Sequence, residues 1–435
     1  MAPPFERESA ELDAVLLGEK KRLDLSALRR IGLQRGFGGK NSWRRRIAWS
    51  KLLGVDVFRD AYAQGGVPPK ETFLGNTDED QIECDVERSF NNFPVLRENL
   101  KRAKLRRRRA DAANYEDGLV VLRERLSWIL NAVASRNPTL KYFQGYHDVC
   151  ALFLVVCGPR TSPWVALRLI EQFSNQWLRD HHGADFQDTI MLLKLIVPIL
   201  QSDRENGGPS IVSFLSSAEV EPFFALPWLI TGFAHSVETT EIAQRIYDAI
   251  LSSHPSFLLY ASAALVLDPF VRDKLLELPC DMADIHDLLQ GAGRFVKPGV
   301  SLKDSCVGVE TLIQRALRLM RNLPPSKLVE MKIKTVGTIP KSSIVRATFP
   351  FPWMRRSALT DEACAVRFLG LDDSKDEHDD DDDDYPLGRA VTKNKCMNHC
   401  TVALALAFAA LAIFFSPSVT YYEVLGDAIG VVVAL

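Results

Sequence analysis

Apolar residues recur at helical spacing along most of this 435-residue chain. From Leu119 to Val133 they fall every three or four positions, which predicts an amphipathic helix that ends at Asn137-Pro138. Further segments with this spacing, some of them apolar on every side and therefore expected to be buried, continue to Leu319. No stretch alternates apolar and polar residues between regularly spaced turns, as half-buried strands would. The pattern predicts an all-α, multi-helix fold.

The helical pattern has limits that predict the domain organisation. Residues 1–29 form an N-terminal extension, and residues 30–322 form the helical domain. From residue 323 to 398 the sequence loses its periodicity and is rich in Pro, Ser, Lys and Asp, which predicts a flexible, partly acidic linker. Within this linker the unbroken acidic run Asp379–Asp384 lacks the spaced ligands and the glycine of a calcium loop, which favours a solvated spacer.

The last part of the chain has the pattern of a membrane span. Residues 399–419 contain no Asp, Glu, Lys or Arg, and about 20 helical residues are long enough to cross a bilayer. Lys393 and Lys395 precede this segment, so the positive-inside rule leaves the helical domain in the cytosol and residues 420–435 as a short lumenal tail. A buried core helix is the alternative, but a tether leads into the segment, which favours a C-terminal transmembrane helix.

Composition narrows the chemistry that the chain itself can perform. The hydrophobic content of 47% supports a large core, and the net charge of -2 gives no reason to expect nucleic-acid binding. The eight cysteines include no C-x-x-C pair and do not combine with histidines at zinc spacing. A glycine-rich loop at residues 36–39 lacks the spacing of a phosphate-binding P-loop. We therefore expect no metal and no bound cofactor.

A first short motif, Ile82-x-x-Asp85-x-x-Arg88, brings an acid and a cation together. Residues three apart on a helix share a face, so Asp85 can orient the guanidinium of Arg88. Helix-stopping residues follow from Asn91 onward, which places Arg88 near a helix end with its side chain projecting outward. Taken alone, such a pair is most often a surface ion pair of little energetic value.

A second motif, Tyr142-Phe143-Gln144-Gly145, follows the break at Asn137-Pro138 and precedes an apolar helix that begins near Tyr146. This position puts Gln144 on a loop or a first helical turn, where its amide is free to reach across an interface. An isolated glutamine at such a place is more often a capping group. We interpret the neighbouring His147 as polar surface and Asp148 as a local cap.

Together the two motifs resemble the TBC family of GTPase-activating proteins for Rab GTPases. Arg45-x-x-x-Trp49 is similar to the R-x-x-x-W signature that opens the TBC domain, and the resemblance extends over about residues 30 to 320. Tyr247-Asp248 stands where the family commonly has a tryptophan-aspartate pair. The resemblance implies a TBC domain for the helical region, with Arg45 and Trp49 as structural residues.

The resemblance also implies a function and a role for each motif residue. In this family an arginine and a glutamine are both inserted into the nucleotide site of the partner, so Arg88 would be an arginine finger and Gln144 a glutamine finger. Asp85 would hold Arg88, while Tyr142 and Gly145 would shape the loop that presents Gln144. The partner would be a Rab GTPase in its GTP form, and the GTP and Mg²⁺ would belong to that partner.

The membrane-anchored type of TBC protein implies a place in early secretory traffic, on the endoplasmic reticulum or Golgi membrane. The chain would be a single-pass, tail-anchored protein with its catalytic domain in the cytosol. The competing hypothesis is a noncatalytic scaffold that binds a Rab and is fixed to the membrane by the same segment. An intact arginine and glutamine favour the activating role, since a pure binding module needs neither.

Overall fold

The computed structural model describes residues 11–16, 24–38, 43–55, 78–90, 116–158, 163–183, 186–301, 305–331, 337–351 and 354. All of them lie within residues 1–375. Within the described ranges, no helix is both long enough and apolar enough to cross a membrane. The predicted transmembrane helix at 399–419 and the lumenal tail at 420–435 lie outside the described residues.

Nearly all regular secondary structure in the described part of the chain is helical. After a helical segment at residues 11–16, the α-helices in chain order are α1 (Leu25–Gln34), α2 (Trp43–Leu52), α3 (Glu79–Arg88), α4 (Glu116–Arg136), α5 (Tyr146–Cys157), α6 (Pro163–Phe173), α7 (Gln187–Lys194), α8 (Ile196–Ser202), α9 (Gly208–Ser217), α10 (Leu226–Thr231), α11 (Thr240–Ser252), α12 (Phe257–Val266), α13 (Pro269–Glu277), α14 (Met282–Gly291), α15 (Val309–Asn322) and α16 (Pro325–Glu330). Short π and 3-10 segments occupy Ser174–Leu178, Arg179–His181, Pro222–Ala225, Ala292–Phe295 and Ile344–Arg346. The expected all-α fold is modified by one small parallel pair, β1 (Val296–Lys297) with β2 (Val307–Gly308), in which Val296 lies opposite Val307.

Two helices that are mostly apolar lie at the centre of the domain. All residues of α12 are buried, and all of α5 except Val155. A helix with almost no polar face is not stable at the surface, so neighbouring helices must enclose it. The amphipathic helix α15 covers α12 with a single apolar stripe that includes Leu312, Ile313 and Leu319. The buried position of α5 matters for the site because the second motif stands at its amino end.

The carboxylate of Asp248 on α11 joins the first part of the chain to the core. Arg45 donates to its two oxygens at 3.0 and 2.9 Å, Trp49 Nε1 donates at 2.7 Å, and the backbone N–H of Phe37 donates at 2.9 Å. Asp248 is wholly buried, and a buried carboxylate is tolerated only when hydrogen bonds and a counter-charge replace its water. The indole of Trp49 also stacks on Tyr247 at 5.8 Å between ring centroids. These contacts place Arg45 and Trp49 deep in the domain.

The predicted start of the flexible linker at residue 323 is wrong. Helix α16 continues the helical domain beyond residue 323. Residues 337–351 then pack against the domain, and the side chains of Ile344 and Val345 are buried. Phe351 packs edge-on against Trp177, with ring centroids 5.1 Å apart. We call residues 337–351 the strap. Its apolar residues have no helical period because most of the strap is not helical. For this reason the sequence pattern predicts a flexible linker here.

A buried acid anchors the strap. Ser343 Oγ donates to Asp180 Oδ2 at 2.7 Å, and the backbone N–H of Ile344 donates to both carboxylate oxygens at 3.1 Å. Burial raises the pKa of Asp180 above its usual value, although these donors and Arg179 favour the charged form. The carboxylate therefore depends on the strap for the hydrogen bonds that replace water.

Replacing Ser343 with alanine is expected to destabilise the domain. Ser343→Ala removes a donor from a buried carboxylate, which costs about 1–3 kcal/mol. The neighbouring Ser342 is exposed, so Ser342→Ala should leave the free energy of unfolding unchanged within ~0.5 kcal/mol. Urea unfolding of both variants measures this difference, and equal midpoints for the two would mean that the strap is not held by Asp180.

Candidate functional site

Arg88 is the last residue of α3, and the local sequence explains why the helix stops there. Glu79 and Asp80 lie in the first turn, where negative charge is favoured by the helix dipole. At the other end, Phe90 adopts a left-handed conformation with φ of 65° and is buried, which turns the chain away from the helix axis. The Arg88 side chain remains 39% exposed at the rim of the domain.

The Asp85 carboxylate is wholly buried directly beneath Arg88, and donors from three segments surround it. Oδ1 accepts from Arg88 Nη2 and from Gln81 Nε2, the latter at 2.9 Å. Oδ2 accepts from the Tyr142 hydroxyl at 2.5 Å and lies 3.3 Å from His147 Nδ1. Burial alone would raise the pKa of Asp85, but His147, Tyr142 and Arg88 outweigh it and hold the pKa below its usual value. The anchor of Arg88 is therefore a stable anion at neutral pH.

The Tyr142 hydroxyl links the loop of the second motif to the same anchor. Phe143 is buried against His182, with ring centroids 5.0 Å apart, while Gln144 is exposed. Burial lowers the pKa of His182 to about 4, so its ring is neutral at pH 7, and Nδ1 donates to the carbonyl of Lys141 at 2.8 Å. The loop is thus fixed on both sides of Gln144, and the amide is free on its outer surface.

Gly145 allows the loop to turn into α5. Gly145 immediately precedes the helix, and its φ of 100° lies in the left-handed region, which residues other than glycine rarely adopt. A Cβ at this position would lie 3.0 Å from Thr231 Cγ2 at the end of α10. Close packing against α10 and an unusual backbone conformation both require glycine here.

Two residues next to the second motif differ from their predicted positions. His147 was expected on the surface, but it is buried, with Nδ1 near Asp85 and Nε2 3.5 Å from Asp148 Oδ1. Asp148 is also buried, and its Oδ2 accepts from His235 Nδ1 at 2.8 Å. The apolar helix α5 buries even its polar first turn, because α3 and the chain after α10 cover that end.

Sequence reasoning missed Gln81, His147, Asp148 and His235 as members of this network. The I-x-x-D-x-x-R motif contained one usable signal for Gln81, which lies four residues before Asp85 on the same helix face. His235 lies 87 residues from Asp148, and no local pattern connects them. The structure brings Arg88, Asp85, Tyr142 and Gly145 into one cluster and leaves Arg45 and Trp49 outside it, on Asp248.

The site exposes hydrogen-bonding side chains on the surface of the described part of the domain. Arg88 offers a planar fork of N–H groups, and Gln144 offers an amide that can both donate and accept. Among the described residues, no group of three or more His, Cys, Asp or Glu side chains is placed to hold a metal ion. Such an arrangement can supply charge and hydrogen bonds to a reaction on another molecule.

Curated relatives resemble this chain over much of its length. TBC1 domain family member 20 of Homo sapiens is 33% identical over 305 residues, which cover 70% of this chain and 65% of that protein. GTPase-activating protein gyp10 of Schizosaccharomyces pombe is 27% identical over 302 residues, covering 68% of this chain and 72% of that protein. The chain thus spans 65% of the length of the TBC1 domain family member 20 proteins that it matches.

A solved structure and a family model agree on the fold. The crystal structure of the Ypt/Rab-GAP domain of Gyp1p is 17% identical and superposes with a TM-score of 0.53, covering 73% of this chain and 99% of that one. The expected helical TBC fold is confirmed by this likeness. The model of the Rab-GTPase-TBC domain matches residues 42–276, more than half of the 435 residues. This chain therefore belongs to the Rab-GTPase-TBC domain family.

Proposed function

We propose that the protein stimulates GTP hydrolysis by a Rab small GTPase, with Arg88 as arginine finger and Gln144 as glutamine finger. The observation that carries the proposal is the shared anchor: the buried Asp85 binds Arg88 directly and binds the Gln144 loop through Tyr142. The side chains of Arg88 and Gln144 are both exposed. The gyp10 relative is named a GTPase-activating protein, which supports the same activity here.

The proposed chemistry supplies what a small GTPase lacks. Hydrolysis is slow because negative charge that develops on the phosphates is incompletely neutralised and the attacking water is poorly held. Arg88 would neutralise that charge, with its donors aimed by Asp85 before the partner arrives. Gln144 would hold the water, and the fixed loop would keep its amide in position. The partner would contribute the GTP and the Mg²⁺.

Removing either finger is expected to abolish stimulation without affecting the fold. Arginine fingers contribute about 10³- to 10⁵-fold to GTP hydrolysis, so Arg88→Ala and Gln144→Ala should return the rate to that of the GTPase alone. Arg88→Lys should also fail, because an ammonium lacks the fork that binds Asp85 and a phosphate together. The measurement is single-turnover GTP hydrolysis with a panel of purified Rab proteins.

Two exposed residues outside the site provide matched controls for these variants. Arg321 on α15 and Gln201 on α8 are both exposed, so Arg321→Ala and Gln201→Ala should stimulate like the wild type. Wild-type stimulation by Arg88→Ala or Gln144→Ala would refute the dual-finger mechanism. It would favour instead a role in which the domain only binds the Rab.

The geometry of Gly145 gives an independent test of the loop. Gly145→Ala forces a side chain into φ of 100° and against Thr231, which should shift Gln144 and lower stimulation roughly 10²-fold. Gly207→Ala is the control, since its φ of 76° carries similar strain but a Cβ there would meet nothing within 4 Å. Equal hydrolysis rates with the two variants would show that the loop does not position a catalytic group.

We further propose that residues 399–419 anchor the protein in the endoplasmic reticulum or Golgi membrane, with the domain facing the cytosol and acting in early secretory traffic. The absence of charged residues in this segment and the preceding Lys393 and Lys395 support the proposal. Deleting residues 397–435 should release the protein into the soluble fraction while its stimulation of hydrolysis is retained. A truncated protein that still sediments with membranes in alkaline carbonate would argue against the anchor.

A further inference from the structure

A third exposed polar side chain is connected to the network that anchors Arg88. His235 follows α10, and its side chain is 53% exposed. Its backbone N–H donates to Thr231 Oγ1 at 3.3 Å, and Thr231 is the residue against which Gly145 packs. Its Nδ1 donates to Asp148 Oδ2 at 2.8 Å. His235 is therefore attached to the Gln144 loop through α10 and through the first turn of α5.

The anchor of His235 repeats the anchor of Arg88. Each exposed side chain is held by a buried carboxylate, Asp85 for Arg88 and Asp148 for His235. His147 lies between the two acids, with Nδ1 3.3 Å from Asp85 Oδ2 and Nε2 3.5 Å from Asp148 Oδ1. One continuous polar network thus holds the arginine finger at one end and His235 at the other.

We propose that His235 is a third residue that touches the docked GTPase, donating a hydrogen bond from Nε2 to an anionic oxygen of the GTPase–nucleotide complex. The proposal rests on the proposed function and adds a residue to it. With Nδ1 committed to Asp148, Nε2 is the ring nitrogen left to face the partner. No hydrogen bond to Nε2 is present among the described residues. The oxygen would belong to a nucleotide phosphate or to an acidic side chain of the GTPase.

The surroundings of His235 favour the protonated ring, in which Nε2 is a donor. The hydrogen bond to Asp148 raises the pKa of His235 above its usual value, against the opposing effects of burial and of Arg88 and Arg294. Among the described residues, the charged groups that act on His235 include Asp148 on α5, Arg88 on α3 and Arg294 on the 3-10 segment Ala292–Phe295. Since the competent form is the protonated one, stimulation should fall as the pH rises through the pKa of His235.

Substituting His235 with Asn or Gln tests the roles of the two ring nitrogens separately. Asn approximates the Nδ1 side and can keep the bond to Asp148, but it lacks the reach of Nε2. Gln approximates the Nε2 position and keeps a donor there without a charge. We expect His235→Asn to lower kcat/KM for stimulation about 10- to 100-fold, as for the loss of a charge-assisted hydrogen bond. His235→Gln should retain an intermediate activity that no longer depends on pH through this group.

The experiment measures kcat and KM of Rab GTP hydrolysis from pH 6 to 9 for the wild type and both variants, corrected for the rate of the Rab alone. His286→Asn on α14 is the control and should behave like the wild type. A loss confined to kcat assigns the oxygen to a phosphate, and a loss confined to KM assigns it to a side chain of the GTPase. Either result supports the proposal.

Two results would overturn it. His235→Asn could have wild-type kcat and KM at every pH, which would mean that His235 makes no contact with the partner. Alternatively, Asn and Gln variants could lose activity equally, with a lowered unfolding temperature and an unchanged pH profile, which would indicate a structural role. Failure of the proposed function is distinguished by the wild type, which would then stimulate no Rab at any pH.

Discussion

The carboxylate of Asp85 is the constraint on which the site depends. A buried negative charge is costly unless donors replace its water, and here the donors are Arg88, Gln81 and the Tyr142 hydroxyl, with His147 close by. Satisfying this single charge fixes the end of α3 against the loop before α5. The electrostatic requirement of one side chain thus sets the relative position of two residues, Arg88 and Gln144, that are 56 positions apart in the sequence.

The rest of the domain makes that arrangement rigid. Helix α5 is enclosed by its neighbours, so the loop at its amino end cannot move without disturbing the core. Asp248 anchors α2 in the same way that Asp85 anchors α3. Arg45, Trp49 and the backbone N–H of Phe37 all donate hydrogen bonds to this one buried carboxylate. A rigid anchor reduces the cost of orienting the exposed groups when a partner binds, which is how preorganised sites gain catalytic power.

Local patterns predicted the helical fold, a helix end near Arg88 and a loop or first helical turn at Gln144, because periodicity and helix-ending residues are visible within a few positions of the sequence. They could not predict which groups meet across long separations. The contact of Asp248 with Arg45 spans 203 residues, and that of His235 with Asp148 spans 87. The sequence of the strap predicts a linker because its apolar residues have no regular spacing. Its burial results from contacts with Asp180 and Trp177, which lie far away in the sequence.

The central claim is that Arg88 and Gln144 complete a transition state on another protein, and binding to a transition-state mimic tests it most directly. The affinity of the purified domain for a Rab loaded with GDP and aluminium fluoride should greatly exceed its affinity for the same Rab with a GTP analogue. Arg88→Ala should remove the difference. Equal affinity for the two nucleotide states in the wild type, unchanged by Arg88→Ala, would contradict the account.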